Sequence, residues 1–137
     1  MLKIVADTNV LISSLMEKGS SKAVLDLWVA EKFTLVTSHK LINELTTTLK
    51  KRKLANRISE TDIEALLDLI HEDAIIVTPT HTINACRDPK DNKVLECAVE
   101  GKVDIIGTGD GDLLILHPFR NIDILTPADL IKRLKAA

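Results

Sequence analysis

The stretch "LKIVADTNVLISSLM" (residues 2–16) decides the fold class of this 137-residue chain. It opens with a short apolar run typical of a strand, and from Asn9 onward the apolar residues take a spacing that favours a helix. Similar apolar runs recur and are predicted strands: FTLVT (33–37), AIIV (74–77), VDIIG (103–107) and IDILT (122–126). Because these runs are continuously apolar instead of alternating, they indicate parallel strands covered on both faces. We therefore predict an α/β fold, one three-layer domain over residues 1–137 with a central parallel sheet of about five strands flanked by helices.

Capping signals predict where several helices begin. Ser38 precedes "HKLINELTTTLKK", and Ser59 precedes "ETDIEALLDLIHE", each at a position that favours an N-cap. Pro89 and Pro127 fit the first helical position of two later helices. The predicted helices therefore alternate with the predicted strands along most of the chain.

The composition indicates a globular protein with an aliphatic core. Hydrophobic residues make up 45% of the chain and charged residues 28%, while aromatic residues reach only 2% and tyrosine is absent. The net charge of −2 excludes a strong overall field that would attract nucleic acid. Any such binding must depend on local charge or on a bridging metal.

Cysteine usage and hydropathy indicate the compartment. Cys86 and Cys97 lack the spacing of a zinc site, and we predict that both are reduced, structural thiols. The N-terminal residues do not resemble a secretory signal, and no apolar run approaches the roughly 18 residues needed to cross a bilayer. The expectation is a cytoplasmic protein that does not engage a membrane.

Two acidic positions follow predicted strands. Asp7 comes directly after the first strand, and Asp110 comes after the fourth, just beyond Thr108. Ligands of open parallel sheets bind outside the carboxyl ends of the strands, so acids distant in sequence can meet there. Each position also has a structural explanation: Asp7 or Asn9 can cap the next helix, and Asp110 with Asp112 can belong to an ordinary turn.

Two further acids lie on predicted helices. Glu44 falls at the border of its helix's apolar face, from which a carboxylate can reach a cleft. Asp91 is in the first turn of the helix begun by Asp88 and Pro89, an end whose dipole favours an anion. Glu44 fits a solvated position equally well, and the second group fits a helix start that needs no ligand.

Grouping these acids would require a counter-charge. Two carboxylates 5 Å apart repel by about 3 kcal/mol at an effective dielectric near 20, so a cluster must take up protons or hold a divalent cation. All-oxygen ligands favour Mg²⁺ or Mn²⁺ over zinc. A calcium loop of EF-hand type is excluded, because Leu114 occupies its next ligand position after Asp110 and Asp112. A cation held in this way would suit phosphodiester hydrolysis, which is nuclease chemistry.

In their order along the chain these residues resemble the PIN-domain nucleases. The likeness covers nearly the whole chain and rests on "DTN" (7–9), Glu44 in a helix, "CRDPKDNKVLE" (86–96) and "TGDGDLL" (108–114). The last two stretches are especially similar to the branch described as toxin components of toxin–antitoxin systems. The resemblance implies a PIN sheet with helices on both faces and a metal-dependent endoribonuclease that cleaves single-stranded or structured RNA.

The resemblance also implies the site residues. It assigns metal binding, with Mg²⁺ or Mn²⁺ as cofactor, to the catalytic acids Asp7, Glu44, Asp91 and Asp110 and to the supporting acid Asp112. Asn9 and Thr108 match polar neighbours of the family's site, and Thr108 either orients a water or satisfies a strand-end carbonyl. Asp88 is assigned to capping. Gly111 stands where the family commonly has a lysine or arginine, so a phosphate contact from that position is in doubt.

One concentrated basic segment is available for RNA. It consists of Lys50, Lys51, Arg52 and Lys53 and follows the helix that carries Glu44. These residues fit either a contact with backbone phosphates or a solvated surface. No aromatic residues are interleaved for base stacking. The histidines share no spacing and are given no role: His39, His71, His81 and His117.

Two other functions stay open at this point. A catalytically silent PIN-type module would bind RNA or protein without cleavage, although a complete set of acids argues against it. An aspartyl-phosphate receiver would use a similar sheet, but Asn9 replaces a second aspartate typical of its loop. Family likeness further implies an RNA substrate, a cognate antitoxin as partner and a homodimer or higher homo-oligomer.

Overall fold

The computed structural model describes residues 1–16 and 19–136. Its five strands form one parallel sheet in the order β3-β2-β1-β4-β5. The strands are β1 (Lys3–Ala6), β2 (Thr34–Ser38), β3 (Ile75–Val77), β4 (Ile105–Gly107) and β5 (Asp123–Leu125). The predicted α/β class, the parallel sheet and its five strands are confirmed.

Within these described ranges, seven α-helices accompany the sheet. They are α1 (Thr8–Met16), α2 (Ser20–Val29), α3 (His39–Leu54), α4 (Glu60–Asp73), α5 (Asn92–Glu100), α6 (Gly111–Leu114) and α7 (Pro127–Ala136). A short 3-10 turn, Pro89–Asp91, precedes α5. The Ser38 and Ser59 caps are confirmed, since their hydroxyls accept from the backbone N–H groups of Leu41 and Asp62.

The sheet buries aliphatic side chains on both faces. Along β1, Ile4 belongs to one apolar cluster and Val5 to another, as successive strand residues point to opposite faces. The Ile4 cluster includes buried residues of α1, α2, α3, α4 and α7. The Val5 cluster includes those of α5 together with Leu113 of α6. The three-layer arrangement leaves the carboxyl edge of the sheet uncovered for a site.

Two helix starts differ from the sequence-based expectation. The segment around Asp110, interpreted as a turn, opens the four-residue helix α6. The helix expected to begin at Pro89 starts as a 3-10 turn and becomes α-helical at Asn92.

Cys86 and Cys97 are both free and buried, as predicted, and burial raises the pKa of the Cys97 thiol to about 12. Across the described ranges, every helix is too short or too polar to traverse a bilayer.

Candidate active site

The site lies where the strand order of the sheet reverses. The chain runs outward from β1 through β2 to β3, then crosses back to β4 on the other side of β1. Ala6, the last residue of β1, pairs with Gly107, the last residue of β4. The residues that follow, Asp7 and Thr108, therefore emerge side by side at the carboxyl edge, where open α/β sheets bind ligands.

The Thr108 hydroxyl joins the two acids at this edge. It donates to Asp7 Oδ2 over 2.8 Å and accepts the backbone N–H of Asp110 over 3.0 Å. Thr108 is fully buried, so this small network is shielded from water. The hydroxyl donates to a carboxylate and not to a strand-end carbonyl, and its role in orienting a water stays a prediction. Its position follows from the pairing of β1 with β4, which a local pattern cannot reveal.

Asp110 is oriented by the start of α6. Its Oδ1 accepts the backbone N–H of Asp112 over 2.9 Å, which makes Asp110 the N-cap of that helix. Asp112 is held in turn by Arg87, whose Nε and Nη2 donate to its two carboxylate oxygens over 3.0 and 3.4 Å. Hydrogen bonds from the chain itself therefore orient both Asp110 and Asp112.

Asp91 completes a compact group of acids. It ends the 3-10 turn before α5, and Asp91, Asp110 and Asp112 each offer a carboxylate oxygen within 4.8 Å of the others. Asp91 Oδ2 is buried and has no hydrogen-bond partner within the described residues. Its own burial, and next the interaction with Asp110, raise the pKa of Asp91 to about 7. A buried oxygen without a partner is costly and calls for a ligand.

Asp7 adds a buried carboxyl to the half-buried acids of the group. Its side chain is 4% exposed, and burial raises its pKa, with a smaller contribution in the same direction from Glu44 and Asp110. The hydrogen bond from the Thr108 hydroxyl lowers the pKa of Asp7, because it stabilises the ionised carboxylate. Asp7 is therefore within electrostatic range of acids from two other parts of the chain.

Glu44 reaches the site from α3 and is paired with a cation. Its Oε2 forms an ion pair with Lys93 of α5. Since Lys93 projects from the helix that Asp91 precedes, the pair ties α3 to α5 beside the acids. The structure thus supplies one counter-charge from the chain itself.

These residues line one cleft of about 240 Å³, here called the acid cleft. Its lining consists of Asp7, Thr8, Asn9, Glu44, Thr48, Asp88, Lys90, Asp91 and Asp110. The Thr8 hydroxyl is buried and, like Asp91 Oδ2, has no hydrogen-bond partner in the described part of the chain. The two orphaned oxygens and the all-oxygen donor set fit a hard divalent cation with its water.

A family model of the PIN domain matches residues 3–112. The chain belongs to the PIN-domain family. PIN domains are generally nucleases, and the acid cleft has the donor groups that such chemistry needs. The predicted family is therefore confirmed.

One relative by sequence and two solved structures are similar to this PIN domain. MJ1680, an uncharacterized protein of Methanocaldococcus jannaschii, is 37% identical over 118 residues, which are 85% of this chain and 76% of that protein. The crystal structure of PAE2754 from Pyrobaculum aerophilum has the same fold, with a TM-score of 0.66 and 15% identity over 100% of this chain and 91% of that one. FitAcB from Neisseria gonorrhoeae aligns with a TM-score of 0.49 and 16% identity over 91% of this chain and 98% of its own.

The PIN site gathers most of the residues singled out from the sequence. Asp7, Asn9, Glu44, Asp91 and Asp110 line the acid cleft, and Asp112 adjoins it. The metal-ligand and catalytic roles of these residues stay predictions. Asp88, assigned to capping, accepts the backbone N–H of Lys90 over 3.2 Å and also lines the cleft.

The basic run lies apart from the acid cleft. Lys50, Lys51, Arg52 and Lys53 occupy the last turns of α3 and are absent from the cleft lining. Lys53 pairs with Glu60 over 3.1 Å, and Arg52 Nη1 donates to the Met16 sulfur over 3.4 Å. Lys51 is seven residues beyond Glu44, so it projects from the same side of α3 about 10 Å further along. A phosphate contact from this run stays a prediction.

Sequence reasoning missed several residues of the PIN site. Thr8, Arg87 and Lys93 were not singled out, although each contacts or lines the group of acids. All three lie in stretches that resemble the family, Thr8 in "DTN" and the other two in "CRDPKDNKVLE". The contacts of Arg87 with Asp112 and of Lys93 with Glu44 join residues far apart in the sequence, so no local pattern predicts them.

Proposed function

We propose that this PIN domain is a metal-dependent endoribonuclease that hydrolyses RNA phosphodiester bonds. The observation that carries the proposal is the acid cleft, where the buried Asp7 carboxyl meets half-buried carboxyls from three other elements, those of Glu44, Asp91 and Asp110. One of their oxygens, Asp91 Oδ2, has no hydrogen-bond partner within the described residues. Carboxyls held this close must take up protons or bind a cation, and Mg²⁺ or Mn²⁺ would offset their repulsion while supplying the positive charge that phosphodiester hydrolysis needs.

Asp7, Asp91 and Asp110 would hold Mg²⁺ or Mn²⁺, with Glu44 and Asp112 in support. When bound, the cation supplies Lewis-acid stabilisation of the phosphodiester and of the attacking and leaving oxygens. The reaction adds water across the phosphodiester: one P–O bond forms, the bond to the leaving oxygen breaks, and that oxygen takes up a proton. The cleft supplies the negative charge that binds the cation, and the cation offsets the substrate's charge.

The chain's own residues prepare the cleft for this reaction. Thr108 holds the Asp7 carboxylate in one orientation by donating to Oδ2 over 2.8 Å. The free hydroxyl of Thr8 can hold a water near the acids. Lys90, exposed at the rim, is placed to attract a substrate phosphate. Lys93 offsets the charge of Glu44 and keeps that carboxylate at the cleft.

RNA as substrate and the toxin role rest on the motif resemblance. On the same basis we propose an antitoxin that blocks the acid cleft and a homo-oligomeric protein. A cytoplasmic site of action is proposed separately, in line with the two free cysteines. Removal of an antitoxin would then expose the cleft and release cleavage. Growth arrest upon expression of the wild-type chain, relieved in the Asp110→Asn variant, is the result that we expect for a toxin.

The decisive experiment measures cleavage of fluorescently labelled RNA with added Mg²⁺ or Mn²⁺ and with EDTA. We expect turnover only with metal, and a loss of at least about 100-fold in Asp7→Asn and Asp110→Asn. Asp68→Asn, an exposed aspartate on α4, is the matched control and should behave as wild type. Equal cleavage in EDTA, or full activity of Asp7→Asn, would refute the proposal. RNA binding without turnover would favour the non-catalytic binding module.

A further inference from the structure

We propose that a second cavity at the carboxyl edge binds one base of a single-stranded RNA whose scissile phosphate lies at the acid cleft. This inference rests on the proposed function. The cavity, here called the histidine pocket, measures about 430 Å³, and its lining includes His39, Lys40, Val77, Thr80, His81 and Glu96. Its size lies within the usual range of ligand pockets, about 300–1,000 Å³.

The histidine pocket lies over the ends of two paired strands. Ser38, the last residue of β2, pairs with Val77, the last residue of β3, and both line the pocket. The acid cleft lies over the ends of β1 and β4, the next strands of the same parallel sheet. The two sites therefore open along one edge of the sheet, at neighbouring positions.

A lysine-bearing groove links the two sites. This connecting groove of about 290 Å³ is lined by residues that include Lys40, Asn84, Lys90, Lys93 and Glu96. Lys40 and Glu96 also line the histidine pocket, while Lys90 also lines the acid cleft. A strand can thus pass from one site to the other while its phosphates meet ammonium groups.

The two imidazoles give the pocket a surface for stacking. His39 and His81 are 42 positions apart in the sequence and both are exposed at the pocket, so their rings are accessible to a ligand. RNA-binding proteins commonly stack unpaired bases on aromatic side chains, histidine among them. The absence of a shared spacing among the histidines was the reason for giving them no role. The fold overturns that reason by bringing two of them to one cavity.

The ring of His81 is held in place by a chain of hydrogen bonds. The Thr80 hydroxyl and backbone N–H both donate to Glu100 Oε1, over 2.7 and 2.8 Å. Because the hydroxyl proton is used on Glu100, the 3.0 Å contact between Thr80 Oγ1 and His81 Nδ1 requires His81 to donate. This arrangement leaves Nε2 available to a ligand and reduces the entropy lost on stacking.

Charge decides which part of a nucleotide enters the pocket. Glu96 lines it, and its Oε2 accepts the backbone N–H of Ile83 over 2.9 Å. A phosphate would be repelled by this carboxylate, whereas an exocyclic amino group of a base could donate to it. Lys40 forms no ion pair among the described residues and lies on the side shared with the connecting groove. The base therefore belongs in the pocket and the phosphate beside Lys40.

The test measures binding of a fluorescein-labelled single-stranded RNA 12-mer in EDTA by fluorescence anisotropy, with the RNA checked for integrity. We expect His39→Ala and His81→Ala each to weaken binding about fivefold, and Lys40→Met to lower the slope of log affinity against log salt by about 1. The matched controls are His71→Ala on α4 and Lys132→Ala on α7, both exposed and outside the pocket lining. Thermal melting of every variant verifies that the fold is retained.

An abasic scan of the same RNA separates stacking from a general loss of binding. We replace one nucleotide at a time by an abasic residue. At one position the wild type should bind the abasic RNA more weakly than the intact RNA, while the His39→Ala/His81→Ala double variant should bind both RNAs equally. Equal losses in wild type and the double variant at every position, or wild-type affinity of the double variant, would overturn the histidine pocket. Binding of a perfectly paired duplex by the wild type with the same affinity as the single strand would also overturn the histidine pocket.

Cleavage measured on the same preparations separates the two proposals. If the pocket variants bind RNA weakly while the wild type never cleaves with Mg²⁺ or Mn²⁺, the pocket stands and the ribonuclease proposal fails. If the wild type cleaves and the pocket variants bind and cleave as it does, the ribonuclease proposal stands and the pocket is wrong.

Discussion

The acid cleft and the histidine pocket share one edge of the sheet but differ in how their polar groups are satisfied. In the cleft, Asp91 Oδ2 and the Thr8 hydroxyl are buried without partners in the described ranges, and the pKa of Asp91 is raised to about 7. In the pocket, Thr80 and His81 are tied to Glu100 by direct hydrogen bonds. The difference matches the roles proposed above, in which the cleft binds a cation and the histidine pocket binds a base of the substrate.

This division of roles makes the two regions separable by mutation. Changes in the cleft should alter turnover and metal binding while RNA affinity in EDTA is retained. Changes in the pocket should alter RNA affinity and KM while kcat is retained.

Among changes outside the acids themselves, the largest effect is expected from Thr108→Val, which removes the hydroxyl that links Asp7 to Asp110 while keeping a similar volume. We expect turnover to fall about 10- to 100-fold, as is common when a group that orients metal ligands is lost. RNA affinity in EDTA should be unchanged, and Thr108→Ser should restore most of the activity. Thr46→Val is the control, since its hydroxyl donates only to the Ile42 carbonyl within α3. Wild-type turnover of Thr108→Val would show that the link does not serve catalysis.

Asp91→Asn should change how the stability of the metal-free protein depends on pH. The folded-state pKa of Asp91 is raised from 3.8 to about 7, so between these values the folded protein binds more protons than the unfolded chain. The contribution of Asp91 to the free energy of unfolding is therefore fully present below pH about 4 and is lost as the pH rises through about 7. We expect the wild-type Tm in EDTA to fall between pH 5 and pH 8 by several degrees more than that of Asp91→Asn.

Mg²⁺ should oppose this loss in the wild type, because a bound cation favours the ionised carboxylates. Asp68→Asn serves as the control, as its exposed carboxylate on α4 should leave the wild-type pH profile unchanged. Parallel Tm profiles of wild type and Asp91→Asn would contradict the assignment of the titration to the cleft.

Glu100→Ala should loosen the histidine pocket without affecting the cleft. The substitution removes the acceptor of the Thr80 hydroxyl and N–H, so His81 loses its fixed orientation. We expect KM for single-stranded RNA to rise about threefold with kcat unchanged. Glu100→Gln keeps an acceptor oxygen and should restore part of the effect, and Glu64→Ala on α4 is the exposed control. A fall in kcat with constant KM would show that Glu100 affects catalysis and not substrate binding at the histidine pocket.

Gly111→Lys is expected to have the smallest effect on the fold. A Cβ at Gly111 meets no atom within 4 Å, and the residue is exposed in the first turn of α6. Stability should change by no more than about 0.5 kcal/mol. The added ammonium should steepen the salt dependence of RNA binding by about one unit of slope, while Gly109→Lys, equally open, gives the comparison. A large loss of Tm would mean that Gly111 is required by its loop.

Much of this structure could be predicted from local patterns. The apolar runs before Asp7 and Asp110 identified β1 and β4 because strands buried on both faces need consecutive apolar residues. Ser38 and Ser59 marked helix starts because a capping hydroxyl acts over only three residues. The four-residue helix α6 was missed, since "GDGD" is equally typical of a turn and so short a helix leaves no periodic pattern.

The candidate site was predicted in part. Asp7, Glu44, Asp91 and Asp110 were named from their positions after strands and on helices, and all four line the acid cleft. The counter-charge of these acids was not predicted, because the ion pair of Lys93 with Glu44 joins two helices, and the two residues are 49 positions apart in the sequence. A contact of this kind has no local signature.

The amino-acid sequence by itself determined the parallel α/β class, the strand ends that carry Asp7 and Asp110, and the family to which the chain belongs. These follow from interactions between residues near one another, or from motifs with a set spacing. Only the tertiary structure decided that Thr108 bridges two acids, that Asp91 Oδ2 is buried without a protein partner among the described residues, and that His39 and His81 line one pocket. The physical reason is that strand order and helix packing bring remote side chains together, and burial then sets their charge and hydrogen bonding.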